Sequence, residues 1–107
     1  AYKDRSQAGL YRVDVAADGA LSNPQQITSV PTPDGLTIDR HGNAYVASNN
    51  SSVRIYRLDD GTELGRIRAA GRVTNVGFGG DDGGTLYLTT SNRGVYAIEL
   101  PVSGVIP

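Results

Sequence analysis

The sequence predicts an all-β chain of about nine short antiparallel strands, and three observations carry that prediction. Chain breakers are dense, with 14 Gly and 5 Pro in 107 residues. Between them lie segments rich in Val, Ile and Thr, the residues that fit a pleated, half-buried surface. No window places apolar residues at i, i+3, i+4 and i+7 over a helix-length stretch without Gly or Pro intervening.

The first expected strand, 9–15, puts Tyr11, Val13 and Val15 on one face and Arg12 and Asp14 on the other. Asp18-Gly19 turns the chain into a second strand near 25–30. The third is expected near 36–38 and the fourth at 44–47, joined by Asp39-Arg40-His41-Gly42-Asn43. The fifth, 53–58, and sixth, 64–67, flank the turn Asp59-Asp60-Gly61. A seventh at 73–78 leads through the Gly- and Asp-rich stretch 79–84 to an eighth at 85–89 and a ninth at 94–100. Alternation nominates Tyr11, Val13, Ile38, Tyr45, Val46, Ile55, Val76, Phe78, Leu86, Leu88, Val95 and Ile98 as the core.

A repeat underlies these strands. Gly42-Asn43-Ala44-Tyr45-Val46-Ala47-Ser48-Asn49-Asn50 overlays Gly84-Thr85-Leu86-Tyr87-Leu88-Thr89-Thr90-Ser91-Asn92, and Asp18-Gly19 overlays Asp60-Gly61 at the same spacing. Gly9-Leu10-Tyr11-Arg12-Val13 matches Gly94-Val95-Tyr96-Ala97-Ile98 at about twice that distance. A period of ~40–45 residues holding four strands is the arithmetic of a β-propeller blade. The expected division is the end of one blade at 1–32, a complete blade at 33–71 and most of a third at 72–107. A ring needs at least four blades, so the chain is expected to be one segment of a propeller domain.

Composition narrows the partners. Ten Lys+Arg against eleven Asp+Glu leave a net charge of -1, without the concentrated basic surface that nucleic acid or an anionic membrane would require. There is no Cys, which removes disulfides and thiolate chemistry, and no apolar run of ~20 residues to span a bilayer. A soluble chain is expected; nothing fixes its compartment. His41, the only histidine, sits in the turn at the far end of the third strand from Asp34, and is rejected as base or ligand. Gly77 to Gly84 lacks the third glycine of a dinucleotide loop and the Lys of a P-loop, and Asp81-Asp82 lacks the spaced carboxylates of an EF-hand. Arg54, Arg57, Arg66, Arg68 and Arg72 read as ordinary outer-strand surface.

The stretch Pro33-Asp34-Gly35-Leu36-Thr37-Ile38-Asp39-Arg40-His41-Gly42-Asn43-Ala44-Tyr45-Val46-Ala47 resembles a blade signature of the gluconolactonase/regucalcin (senescence marker protein) lactonases, which include luciferin-regenerating enzymes. Val73-Thr74-Asn75-Val76-Gly77-Phe78-Gly79-Gly80 with Thr85-Leu86-Tyr87-Leu88-Thr89 looks like that family's next blade, and 94–104 resembles its C-terminal strand and tail. The resemblance implies a partial six-bladed propeller with a divalent ion in its channel, Ca²⁺ first and Zn²⁺ or Mg²⁺ as the other candidates. It implies that Asp34 is one ligand, a Glu and two Asn completing the set from outside this sequence. By itself, Pro-Asp-Gly is equally a turn.

The implied activity is metal-dependent hydrolysis of sugar-type lactones, the metal polarising the carbonyl while Asp34 orients or deprotonates water. Thr74 and Asn75 occupy the matching position of the next blade and are expected to line the pocket. Asn49 is expected at its rim, on a loop sharing the Asp34 end. The alternative reading is a non-catalytic propeller fragment that serves as a binding or assembly module. Expected partners are the remaining N-terminal propeller segment or other copies of the chain, and a small lactone-like substrate.

Overall fold

The computed structural model describes residues 8–48, 51–102 and 104. All nine expected strands form: β1 (Gly9–Val15), β2 (Leu21–Ser29), β3 (Pro33–Ile38), β4 (Asn43–Ser48), β5 (Ser52–Arg57), β6 (Glu63–Arg68), β7 (Val73–Gly79), β8 (Thr85–Thr90) and β9 (Val95–Glu99). Among the described residues there is no helix. The strands make antiparallel sheets of two, four and three, ordered β1-β2, β3-β4-β5-β6 and β7-β8-β9. Each sheet is a meander of sequence neighbours, the arrangement that short turns between strands impose.

The sheets pack face to face through the four-stranded one. Ala44 and Val46 of β4, with Tyr56 of β5, meet Leu10 and Val30 from the first sheet. Tyr45, Ala47 and Val53 point the other way, into Val73, Val76, Leu86 and Leu88 of the third. With a sheet on each side, β4 is buried at every position from Ala44 to Ser48, and its alternate residues serve two cores. Phe78 meets the Tyr45 ring edge-on, centroids 5.2 Å apart and planes at 87°.

Three expected core residues are exposed. Val13 on β1 (39% exposed), Ile38 on β3 (36%) and Val95 on β9 (66%) lie outside both interfaces. Strand β3 also begins three residues earlier than expected, at Pro33, so Asp34 lies inside it rather than before it. The tail folds back: Gly104 bridges Asp39 and donates its N–H to the Gly83 carbonyl at 3.1 Å. A side chain at 104 would strike Phe78, with Cβ atoms only 2.5 Å apart, so only Gly fits there.

Candidate functional site

The two innermost strands carry matching irregularities. In β3, Pro33 pairs with Ser48 and Leu36 with Val46, so three steps on β3 oppose two on β4 and Asp34-Gly35 sits in a bulge. In β7, Val73 pairs with Thr90 and Asn75 with Thr89, placing a bulge at Thr74. Bulges bend a strand and re-aim its side chains, and they concentrate at the rims of β architectures beside functional sites. Both lie at the same end of their sheets, and β3 packs against β7.

Gly35 shows how close that packing is. A Cβ there would run into the Asn75 side chain and come within 3.0 Å of the Asn75 Cα. Glycine thus lets β7 approach, and Asn75 lies against the residue that follows Asp34. The Asn75 Oδ1 accepts the Val76 backbone N–H at 2.9 Å, while the amide remains exposed. Thr74 Oγ1 is 2.9 Å from Thr89 Oγ1 and donates to the Thr89 carbonyl at 3.3 Å, fixing the bulge. Asp34 itself is exposed on the edge strand of its sheet. The expected rim residue Asn49 lies outside the described residues.

The approach to Asp34 is braced. Thr32 holds φ at 43°, a left-handed conformation that a β-branched residue adopts only when its surroundings impose it. Ser48 imposes it here: its hydroxyl donates to the Pro31 carbonyl at 2.7 Å and lies 3.3 Å from Thr32 Oγ1. Sequence reasoning missed this brace, because nothing in Pro31-Thr32-Pro33 announces a positive φ at Thr.

A second polar centre, Asp39, stands at the opposite end of β3, 1% exposed. Its Oδ1 accepts the backbone N–H groups of His41 (2.9 Å) and Asn43 (3.0 Å), and its Oδ2 accepts Tyr45 Oη–H (2.9 Å) and Asn43 Nδ2–H (3.3 Å). Burial alone pushes this carboxyl up, but the four hydrogen bonds outweigh it and hold Asp39 below the usual carboxylate range. The Tyr45 hydroxyl is pushed up to about 12 by burial and by the adjacent Asp39. With every acceptor position engaged, Asp39 is a turn clasp. His41 is exposed at this far end, where with Arg40, Asp82, Pro101 and Val102 it lines an open cavity of about 500 Å³.

A carboxylate oxygen suits a hard cation such as Ca²⁺, and Asp34 presents one at the rim beside Asn75, whose Oδ1 is engaged by the Val76 N–H. Among the described residues no group of three or more His, Asp or Glu converges.

The repeated four-strand meander, its paired inner bulges and its two-sided central strand define a partial β-propeller. A family model for the SMP-30/gluconolactonase/LRE-like region matches residues 2–92, and the chain belongs to that family. Pentonolactonase XacC of Haloferax volcanii is 37% identical over 68% of this chain and 27% of its own length. The 6-deoxy-6-sulfogluconolactonase of Pseudomonas putida is 34% identical over 98% of this chain and 39% of its own length. A solved luciferin-regenerating enzyme superposes with a TM-score of 0.83 at 25% identity, over 97% of this chain and 42% of that one. The chain therefore spans less than half the length of these relatives.

Proposed function

We propose that this chain is the C-terminal part of a six-bladed propeller that hydrolyses sugar-type lactones, with blades divided at 1–32, 33–71 and 72–107. The observation that carries the reading is the pair of inner-strand bulges that bring Asp34 and Asn75 to one rim, in a chain whose relatives include sugar lactonases.

Asp34 would hold a divalent cation, most suitably Ca²⁺, through its carboxylate, and ligands from outside this chain would complete the shell. When bound, the cation supplies Lewis-acid polarisation of the lactone carbonyl. The chain's own contribution is positional. One Asp34 oxygen can take the hydrogen bond of a water and accept its proton as the water oxygen adds to the carbonyl carbon. The ring C–O bond then breaks, and the leaving alkoxide takes back the proton held on Asp34, giving the hydroxy acid and regenerating the carboxylate. Asn75 and Thr74 would line the pocket beside this carboxylate, and Asn49 its rim. The Thr32–Ser48–Pro31 brace would help fix the backbone that presents Asp34.

The test is hydrolysis of five- and six-membered sugar lactones by the complete protein, before and after chelation, with Ca²⁺, Zn²⁺ and Mg²⁺ added back. The reading predicts turnover that chelation removes and one of the three metals restores. Absence of lactone turnover under every metal would replace it with the non-catalytic binding or assembly module.

A further inference from the structure

The outer half of the four-stranded sheet carries unbalanced charge at the rim that also holds Asp34. Arg54 on β5 stands directly across from Arg66 on β6, and Ser52 across from Arg68. Alternation therefore puts three guanidiniums on one face. With Ser51, Ser52 and Ala69 they line a cavity of about 250 Å³. The cross-strand row Pro33, Ser48, Ser52, Arg68 ties this cavity to the Asp34 end, three strand spacings or roughly 14 Å outward.

Directly opposed like charges destabilise a sheet, so the arrangement needs a counterweight. Glu63 is the one carboxylate set against the three among the described residues. It bonds Arg66 Nε and, at 3.3 Å, one of its terminal nitrogens, and lies 3.8 Å from Arg54. The Arg54 side chain is only 13% exposed, and although its guanidinium approaches the Tyr56 hydroxyl, its Nε is buried without a hydrogen-bond partner among the described residues. Arg68 has no ion-pair partner among them. Other arginines are engaged: Arg57 pairs with Asp60 at 3.1 Å, and Arg12 donates to the Leu58 carbonyl at 3.2 Å. Arg54 is therefore not ordinary surface, and the exposed Arg66 and Arg68 stand beside it on the same face.

We propose that this cavity is a binding site for a small, doubly charged tetrahedral oxyanion, phosphate or sulfate. Three guanidiniums against one carboxylate leave two positive charges unmatched, which a dianion neutralises. Guanidinium forks match the oxygen spacing of such a group. At roughly 30 Å³ per water, the cavity admits the anion with several waters. The site is independent of lactone turnover, because binding is read without substrate.

The test is calorimetric titration of inorganic phosphate and of sulfate into the complete protein at fixed ionic strength, with chloride as the control anion. Saturable binding is expected for at least one dianion, weakened about tenfold in Arg68→Gln, as loss of one charged hydrogen bond dictates. Arg57→Gln, with its partner Asp60 on the exposed surface, should bind as the parent does. Circular dichroism of both variants should match the parent. No saturable uptake of either dianion would overturn the proposal, and so would equal affinity in Arg68→Gln or an equal loss in Arg57→Gln.

Discussion

Asp34, near the start of β3, and Asp39, just past its end, lie five residues apart and face opposite fates. Asp39 is buried and fully bonded; Asp34 is exposed and committed to no described partner that the fold requires. Removing the Tyr45 hydroxyl in Tyr45→Phe takes away one charge-assisted bond and should cost about 2 kcal/mol in chemical denaturation. The pH behaviour follows from the direction of the shift. A carboxyl held below its unfolded value stabilises the fold fully above that unfolded value, and the contribution is lost as pH falls through the folded one. Asp39→Asn should therefore lower stability at neutral pH and flatten the acid limb of the melting profile. An unchanged acid limb would remove Asp39 from that role. At the alkaline end the raised Tyr45 contributes below its unfolded value near 10 and is lost as pH climbs toward about 12.

At the scale of elements, the bulges and the two-sided strand carry the account. Gly35→Ala would drive a methyl group into the Asn75 side chain and to 3.0 Å from the Asn75 Cα, so moving the side chain alone leaves a tight backbone contact. It should cost about 1–3 kcal/mol and lower lactone turnover, since β7 must retreat from β3. Ala47→Leu probes the other feature: Ala47 is fully buried between β4 and the third sheet, and overpacking there should also cost about 1–3 kcal/mol. Urea midpoints of the two variants measure both.

The strands themselves were legible because period-2 alternation and Gly/Asp turns are local signals, and the Gly42 and Gly84 repeats located β4 and β8 as equivalents. The core was legible in part: Tyr45, Val46, Val76, Leu86 and Leu88 were nominated and are buried, but Leu10, Val30, Ala44, Ala47, Val53, Tyr56 and Val73 are buried without having been nominated, because a strand packed on both faces buries its small and off-phase residues too. It failed at Val13, Ile38 and Val95, because alternation says which residues share a face and not whether anything covers that face. Asp34 could be named from its motif, but its place in a bulge could not, since a one-residue slip in pairing leaves no mark in composition. The convergence of Arg54, Arg66 and Arg68 was likewise invisible, because cross-strand register decides it.

For the whole molecule, the open edges matter most. Val95 is 66% exposed on β9, the last strand of its sheet, with Tyr96 beside it. Unpaired edges with apolar side chains recruit further strands. Twenty-four strands of a six-bladed ring are not a multiple of the nine here, so copies of this chain could not close such a ring without setting strands aside. The 107 residues alone should sediment as an associated or aggregating species. If the proposed N-terminal propeller segment completes the ring, adding it should convert them to a defined complex. A lone monomer with a cooperative melt would contradict this.

The central claim is that Asp34 is the chemical centre of this segment while the fold does not depend on it. Steady-state hydrolysis of a sugar lactone by Asp34→Ala in the complete protein, with its thermal melt recorded alongside, tests that claim most directly. The account predicts loss of the metal-dependent rate with the β circular dichroism unchanged and the melting midpoint of the metal-free protein unchanged, while the rise in midpoint that added metal gives the parent is reduced. Retained metal-dependent turnover in a folded Asp34→Ala protein would contradict it.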